Sequence, residues 1–159
     1  LRKERPATKI VLTEPANAQL VGSGIAQSRT DSNEPSGSHP NWAPHPIQGW
    51  TPDFIPYVLQ EAIDAHSFDE LIPVSGPEGI AASQQLACKE GIMTGISGGA
   101  TFAVALKVAE KAERGSVIVC MLADTSERYL SSPLFENIET EMTDEEIALS
   151  KSTPGYQMP

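Results

Sequence analysis

The chain has 159 residues, 40% of them hydrophobic, with 11 Lys plus Arg against 21 Asp plus Glu and a formal charge of −10. A length inside the ~100–200 residues of one domain, with enough apolar material for a core, excludes a mostly disordered chain. The surplus of carboxylates repels phosphate backbones and excludes nucleic acid as a partner, and no apolar stretch approaches the ~20 residues of a membrane-spanning helix.

The only basic cluster, Arg2, Lys3, Arg5 and Lys9, lies at the start, in a segment that begins with Leu and lacks the features of a signal or transit peptide. The expectation is a chain processed or excised from something larger. Cys88 and Cys120 are too far apart for a disulfide framework or a metal-ligand pattern, which points to a reducing, cytoplasmic compartment.

In chain order, residues 9–13 (KIVLT) read as a buried strand closed by Glu14 and Pro15. Residues 22–56 form a long loop with little periodicity, rich in Pro and carrying Trp42, Trp50, His39 and His45. Loops of this length inside compact domains are either functional or disordered, and an ordered functional loop is expected. Thr51 is placed to cap a helix ending near His66, whose apolar positions Phe54, Ile55, Val58, Leu59, Ala62 and Ile63 follow the helical period. Residues 70–75 (ELIPVS) predict an edge or irregular strand because of Pro73. A helix over 79–90 stops at Gly91, a strand covers 93–96, a helix runs over 100–114 to Gly115, and residues 117–122 make the clearest strand. Strands alternating with helices imply an α/β three-layer sandwich with a mostly parallel sheet. After Arg128 the chain turns acidic, and Thr143 with Glu146 forms a capping box for a short, solvated helix over 144–151. This divides the chain into a domain over 1–135 and an acidic tail over 136–159.

Chemistry is concentrated in Gly95-Ile96-Ser97-Gly98-Gly99, where a predicted strand meets a helix. Ligands of open α/β sheets bind outside the carboxyl ends of strands, where helix N-termini present free N–H groups. The two glycines after Ser97 either admit a ligand close to the backbone or relieve a tight turn, and spacing alone leaves both open. The same G-x-S-x-G run matches the nucleophile elbow of serine hydrolases, but His39, His45 and His66 all precede Ser97, against the order of that family. No Cys or carboxylate pattern completes a metal site with the histidines, which read as loop residues with backbone or solvent partners. Gly22-Ser23-Gly24 reads as a turn, Cys120 as a buried small apolar residue, and Cys88 lies on a helix beside Lys89.

The runs HPIQGW…FIP over 45–56, EGIMTGISGGATFAVALKVAE over 90–110 and DTSERYLSSPLF over 124–135 together resemble cysteine synthase (O-acetylserine sulfhydrylase), a family of fold type II pyridoxal-phosphate enzymes. The resemblance runs in order over nearly the whole chain and corresponds to the C-terminal part of the family's larger domain. It implies that the Ser97 hydroxyl hydrogen-bonds the pyridine nitrogen of pyridoxal 5'-phosphate, that Asp124 lies near the cofactor, and that Gly49 faces the substrate. The implied reaction makes L-cysteine and acetate from O-acetylserine and sulfide, by β-replacement. It also implies a homodimer for the full enzyme and serine acetyltransferase as a partner.

Departures bear on that expectation. Trp50-Thr51-Pro52-Asp53 replaces the small residues common after Gly49, and Gly98 stands where a second Ser is frequent. The Schiff-base lysine, the substrate-carboxylate loop and the phosphate cradle of the family belong to sequence preceding Leu1. None of Lys3, Lys9, Lys89, Lys107, Lys111 or Lys151 has the lysine context, so no catalytic residue is assigned and the chain alone is expected to be inactive. It then needs its missing N-terminal portion or another subunit. The competing expectation is a truncated, non-catalytic paralogue acting as a protein-binding module.

Overall fold

A computed structural model of the chain describes residues 1–152 and Gly155. Its elements are β1 (Val11–Pro15), α1 (Tyr57–Asp64), β2 (Glu70–Val74), α2 (Gly76–Glu90), α3 (Ile96–Ala109), short 3₁₀ turns at Ser126–Tyr129 and Pro133–Phe135, and α4 (Asp144–Lys151). The class is α/β with a parallel sheet, as the alternation implies. Within the described residues that sheet has two strands, β1 and β2, in a register that sets Val11 against Glu70 and Pro15 against Val74.

Both strands start from one clamp. The Asp69 carboxylate accepts the Ile10 amide at 2.7 Å and pairs with Arg2 at 2.6 Å, while the Asp69 amide donates to the Ile10 carbonyl. The Ile10 amide and then Arg2 hold the Asp69 carboxyl below the usual carboxylate range. At the other end of β1, Glu14 is buried and accepts the amides of Val21 and Gly22 at 3.0 and 2.8 Å, which fastens the start of the long loop to the strand. Burial raises the Glu14 pKa, against those amide bonds.

The long loop is ordered around a small cluster of Ala18, Leu20 and Ile55, on which Leu59 and Ile63 of α1 pack. Helix α1 begins six residues after Thr51, at Tyr57, with Pro56 as its N-cap. The expected cap at Thr51 is therefore incorrect. Pro52 and Pro56 push the residues before them out of helical geometry, and Thr51 itself has φ +37°.

Helix α2 starts at Gly76, three residues before the expected 79, capped by Ser75, whose hydroxyl accepts the Glu78 amide while Glu78 reaches back to the Ser75 amide; Gly91, with φ +69°, caps its other end. Helix α3 starts at Ile96, four residues before the sequence reading placed it, and stops at Ala109 rather than at 114. The strand expected over 93–96 does not form, because Ile96 is already the first helical residue.

Residues 117–122 are likewise not a strand. Their backbone groups make no hydrogen bond within the described residues, and a strand cannot exist without a neighbour to pair with. Cys120, expected inside that strand, is half-buried on the unpaired segment, and both cysteines are free thiols. The capping box at Thr143 and Glu146 forms as read, and α4 buries none of its residues. The end of the expected tail, 153–154 and 156–159, lies outside the described residues. Among those residues no helix is long and apolar enough to cross a membrane, and no group of three or more His, Cys, Asp or Glu is placed to hold a metal ion.

The main core joins both halves of the chain: Ile47, Val74, Ile96, Ala100, Val104, Tyr129 and Leu134 form one buried cluster. Glu78 couples α2 to α3 through Lys107 at 2.6 Å. The Lys107 ammonium first, then the Ser75 hydroxyl and amide, lower the Glu78 pKa to about 2. A depressed carboxylate stabilises the fold above its unfolded pKa and loses that contribution as pH falls through the folded value. Glu78→Gln should therefore flatten the loss of urea stability between the ordinary carboxylate range and about pH 2. Ser75→Ala, which removes the cap, should cost about 1 kcal/mol in the same urea titration at neutral pH.

Candidate functional site

Ser97 lies in the first turn of α3, at the end where unpaired backbone N–H groups and the positive end of the helix dipole face outward. It is 7% exposed, and its hydroxyl makes no hydrogen bond among the described residues. The hydroxyl is not among the buried unpartnered atoms, so it reaches solvent and is free to donate to, or accept from, a bound group. The residue before this turn is covered by the 124–129 segment. Tyr129 is buried and donates its hydroxyl to Asp124 Oδ2 at 2.5 Å, the Thr94 hydroxyl donates to the Asp124 carbonyl at 3.1 Å, and Asp124 Oδ1 is buried with no partner. The hydrogen bond to Asp124, and then burial, raise the Tyr129 pKa, so the phenol stays protonated and serves as donor.

The glycines answer the question their spacing left open. A Cβ on Gly98 would collide with the Thr94 side chain, and one on Gly95 would collide with Asp124 Oδ1 and the Tyr129 ring. On Gly99 it would run into the Gly79 carbonyl oxygen and lie 2.7 Å from Ser83 Cβ. All three are therefore required by contacts of the protein with itself. Gly49 differs: its φ of +84° favours glycine, and a Cβ there would meet nothing within 4 Å.

Gly49 lines a hollow of about 420 Å³ between β1 and the loop ahead of α1, together with Trp50, Thr51, Phe54, Thr13 and Glu14. The Thr13 hydroxyl is buried there without a partner. Ser97 and Asp124 do not line this hollow. The structure thus sets Asp124 Oδ1 and the Tyr129 ring against Gly95, two residues before Ser97, and places Gly49 in a separate depression, with Ile47 and Ile96 sharing the main core. The loop after Gly49 is held in a strained form, since Thr51 is β-branched at positive φ. Trp42 Nε1 and His45 Nε2 both donate to its carbonyl, at 3.2 and 3.1 Å.

The histidines serve this loop. His39 is buried, accepts the Asn41 amide at Nδ1 and donates from Nε2 to the Ile25 carbonyl, as expected for a loop histidine with backbone partners. Gly22-Ser23-Gly24 is a turn, with Gly24 at φ +69°. No histidine hydrogen-bonds Ser97 in the described residues, so the hydrolase arrangement is not assembled. Lys107 stands ten residues along α3 from Ser97, about 15 Å at 1.5 Å per residue, and is paired with Glu78. Residue-by-residue reading missed Thr94 and Tyr129; the spacing of Asp124 and Tyr129, five residues apart after an apolar run, was the only local signal of the latter.

An α/β chain with a small-residue turn and a free hydroxyl at a helix N-terminus has the features of a site for a phosphorylated or heterocyclic ligand. The family model for pyridoxal-phosphate dependent enzymes matches residues 1–124, and the chain belongs to that family. The O-ureido-L-serine synthase of Streptomyces lavendulae is 39% identical over 139 residues, which is 87% of this chain and 37% of that protein. The cysteine synthase of Staphylococcus aureus is 33% identical over 135 residues, 85% of this chain and 37% of that protein. A crystal structure of O-ureido-L-serine synthase superposes with a TM-score of 0.75 at 38% identity, covering 93% of this chain and 40% of that one. The chain thus spans well under half the length of these relatives.

The free Ser97 hydroxyl and the small residues around it fit a pyridine nitrogen as partner, whereas the glycines themselves form no phosphate cradle. Gly99→Ala should lower stability by about 1–3 kcal/mol, because the clash is with helix backbone that can only move apart. Gly49→Ala should cost about 1 kcal/mol, from backbone strain alone. Thermal melts of the two variants check the difference.

Proposed function

We propose that this chain is the C-terminal portion of a pyridoxal-phosphate-dependent enzyme of the cysteine synthase type, which makes L-cysteine from O-acetylserine and sulfide by β-replacement and is inactive without the rest of the enzyme. The observation that carries the reading is the unpartnered Ser97 hydroxyl at the N-terminus of α3, in a chain of this family. Pyridoxal phosphate supplies an electron sink for the amino-acid substrate when bound. Ser97 hydrogen-bonds its ring nitrogen as a neutral group, so the ring is less fully protonated than it would be opposite a carboxylate, which suits elimination and replacement at Cβ. Asp124, fixed by Tyr129, borders the cofactor with its free oxygen, and Gly49 leaves room for substrate beside the cavity it lines. The lysine that attaches the cofactor comes from the portion of the enzyme outside this chain. Two free thiols support a reducing, cytoplasmic setting. A homodimer of the complete enzyme and serine acetyltransferase as its partner complete the reading by analogy.

A second reading is favoured by the 39% identity to an O-ureido-L-serine synthase and by Trp50-Thr51-Pro52-Asp53 after Gly49. Cysteine and O-ureido-L-serine share one carbon skeleton and differ in the group on Cβ, so the same site would accept an oxygen nucleophile in place of sulfide.

The experiment co-expresses the chain with the portion of the S. lavendulae O-ureido-L-serine synthase that it does not match. Visible absorbance of bound pyridoxal phosphate is expected for the pair and not for the chain alone. Cysteine formation should appear with O-acetylserine and sulfide. Ser97→Ala should shift that absorbance and lower turnover about 10²-fold, a typical size for losing one preorganised hydrogen bond at the reacting group. A pair that forms but takes up no cofactor would leave the non-catalytic, protein-binding paralogue as the correct reading. Turnover with an oxygen nucleophile and none with sulfide would select the second reading.

A further inference from the structure

The backbone of residues 51–55, just after Gly49, hydrogen-bonds to no strand or helix among the described residues; every bond it makes comes from residues 27–45. Trp42 and His45 hold the Thr51 carbonyl, the His39 amide donates to the Asp53 carbonyl at 2.6 Å, and the Ser38 hydroxyl donates to the Asp53 carboxylate. Side chains hold both backbone groups of Ile55. Gln27 Oε1 accepts its amide at 3.0 Å, and Arg29 Nη2 donates to its carbonyl at 2.7 Å. Gln27 is buried, and its Nε2 also donates to the Gly37 carbonyl at 2.9 Å, which joins the two arms of a small hairpin. That hairpin is closed by an antiparallel bridge between Arg29 and Pro35 and turns at Asn33, with φ +65°. Arg29 serves both sides, since its Nη1 donates to the Asn33 carbonyl at 2.9 Å while its guanidinium stands 5.9 Å above the ring of Tyr57, the first residue of α1. A buried polar group with every partner in place specifies one arrangement of the segments it joins.

We propose that residues 25–45 are a strap that holds the 49–55 loop in its strained form, and that Gln27 and Arg29 are positioning residues that act on the substrate side of the site through Ile55. This rests on the reading that Gly49 faces the substrate, and it names what sets the loop that carries Gly49. Ile47 and Ile55 are buried at the two ends of that loop, in separate clusters, so only the stretch between them is left to move. Thr51, β-branched at φ +37°, relaxes to negative φ once released, because its own side chain disfavours the conformation it is held in. The strap therefore forms the loop before substrate arrives. A protein without it must form the loop as substrate binds, and its apparent affinity falls with the fraction of molecules in which the loop is correctly made. Ser97 is held on α3, away from the strap, so loosening the strap changes binding and leaves the cofactor side of the site in place.

Hydrogen exchange on the whole chain reads the strap directly. Arg29→Met keeps the apolar stem and removes both guanidinium bonds; exchange of the Ile55 and His39 amides should rise at least ~10-fold, while the Gly99 amide inside α3 keeps its rate. Gln27→Met, which leaves the Ile55 amide without an acceptor, should act in the same direction. Arg29→Lys still reaches the Ile55 carbonyl and should recover most of the protection, and Asp31→Ala at the exposed tip of the hairpin should change nothing. The chain co-expressed with the unmatched portion of the S. lavendulae O-ureido-L-serine synthase reads the positioning role. There Arg29→Met should raise the KM for O-acetylserine about 10-fold, keep kcat within about 3-fold and leave the cofactor absorbance unchanged. Exchange at Ile55 and His39 that ignores Arg29→Met would overturn the strap. Exchange that accelerates at Gly99 as well would also overturn it, because the change is then a global loss of stability. Local acceleration with an unmoved KM would overturn the positioning role. A pair that takes up no cofactor would sink the enzyme reading, while the exchange pattern of the chain alone would still uphold or overturn the strap.

Discussion

Helices α2 and α3 approach until backbone meets backbone, and the rest of the chain is arranged around that contact. Gly79 faces Ala100 so closely that a Cβ there would lie 3.1 Å from the Ala100 Cβ and 3.2 Å from the Ile96 carbonyl oxygen. Gly99 meets the Gly79 carbonyl from the other side. With no side chains to hold the axes apart, dispersion contacts accumulate along the seam. Ser83 closes it by donating to the Thr94 carbonyl at 2.7 Å, which fixes the turn into α3 relative to α2. The position of Ser97 is therefore set by helix packing rather than by the loop that precedes it.

Three connections hang on this seam. Pro46 sits where a Cβ on Gly76 would fall, which fastens the long loop to the start of α2. Gln84 on α2 donates to the Leu134 carbonyl at 2.8 Å and draws the chain after Tyr129 back over the helix pair. Val74, at the end of β2, enters the same buried cluster as Ile96 and Tyr129. The loops bearing Gly49, Ser97 and Asp124 thus radiate from one packed centre although the residues are far apart in sequence. Two carboxyl groups, buried Glu14 and half-buried Asp124, behave differently within this frame. Glu14 is satisfied by backbone amides of its own loop, whereas Asp124 has one oxygen held by Tyr129 and the other left over. An unsatisfied oxygen of this kind is costly for structure alone and is typical of positions that serve a ligand.

What could be read from sequence was what is decided locally. The capping box at Thr143, the left-handed stop at Gly91 and the strand at residues 70–74 each depend on a few adjacent side chains; the equally local capping box at Ser75 was not read. The strand expected over 117–122 failed for the opposite reason. Its β-branched side chains state a preference, but pairing is a property of two segments, and no described segment pairs with this one. Thr51 misled because its cap-like chemistry was outweighed by Pro52 and Pro56. Ser97 stood out because of its place between strand and helix, and the family resemblance gave it a role. Asp124 acquired a visible partner only in three dimensions, since nothing in a one-dimensional pattern says that Tyr129 folds back onto it.

The strained loop has an optical consequence. Both indoles of the chain belong to it: Trp42 is hydrogen-bonded to the Thr51 carbonyl, and Trp50 packs against the main core. Tryptophan emission from this protein therefore reports on the loop at the hollow and, through Trp50, on the core built around α3, while neither indole lies in the acidic tail. A ligand that enters beside Gly49 meets Trp50 in the lining and reaches Trp42 only through the Thr51 carbonyl, so the protein carries its own probe at that hollow.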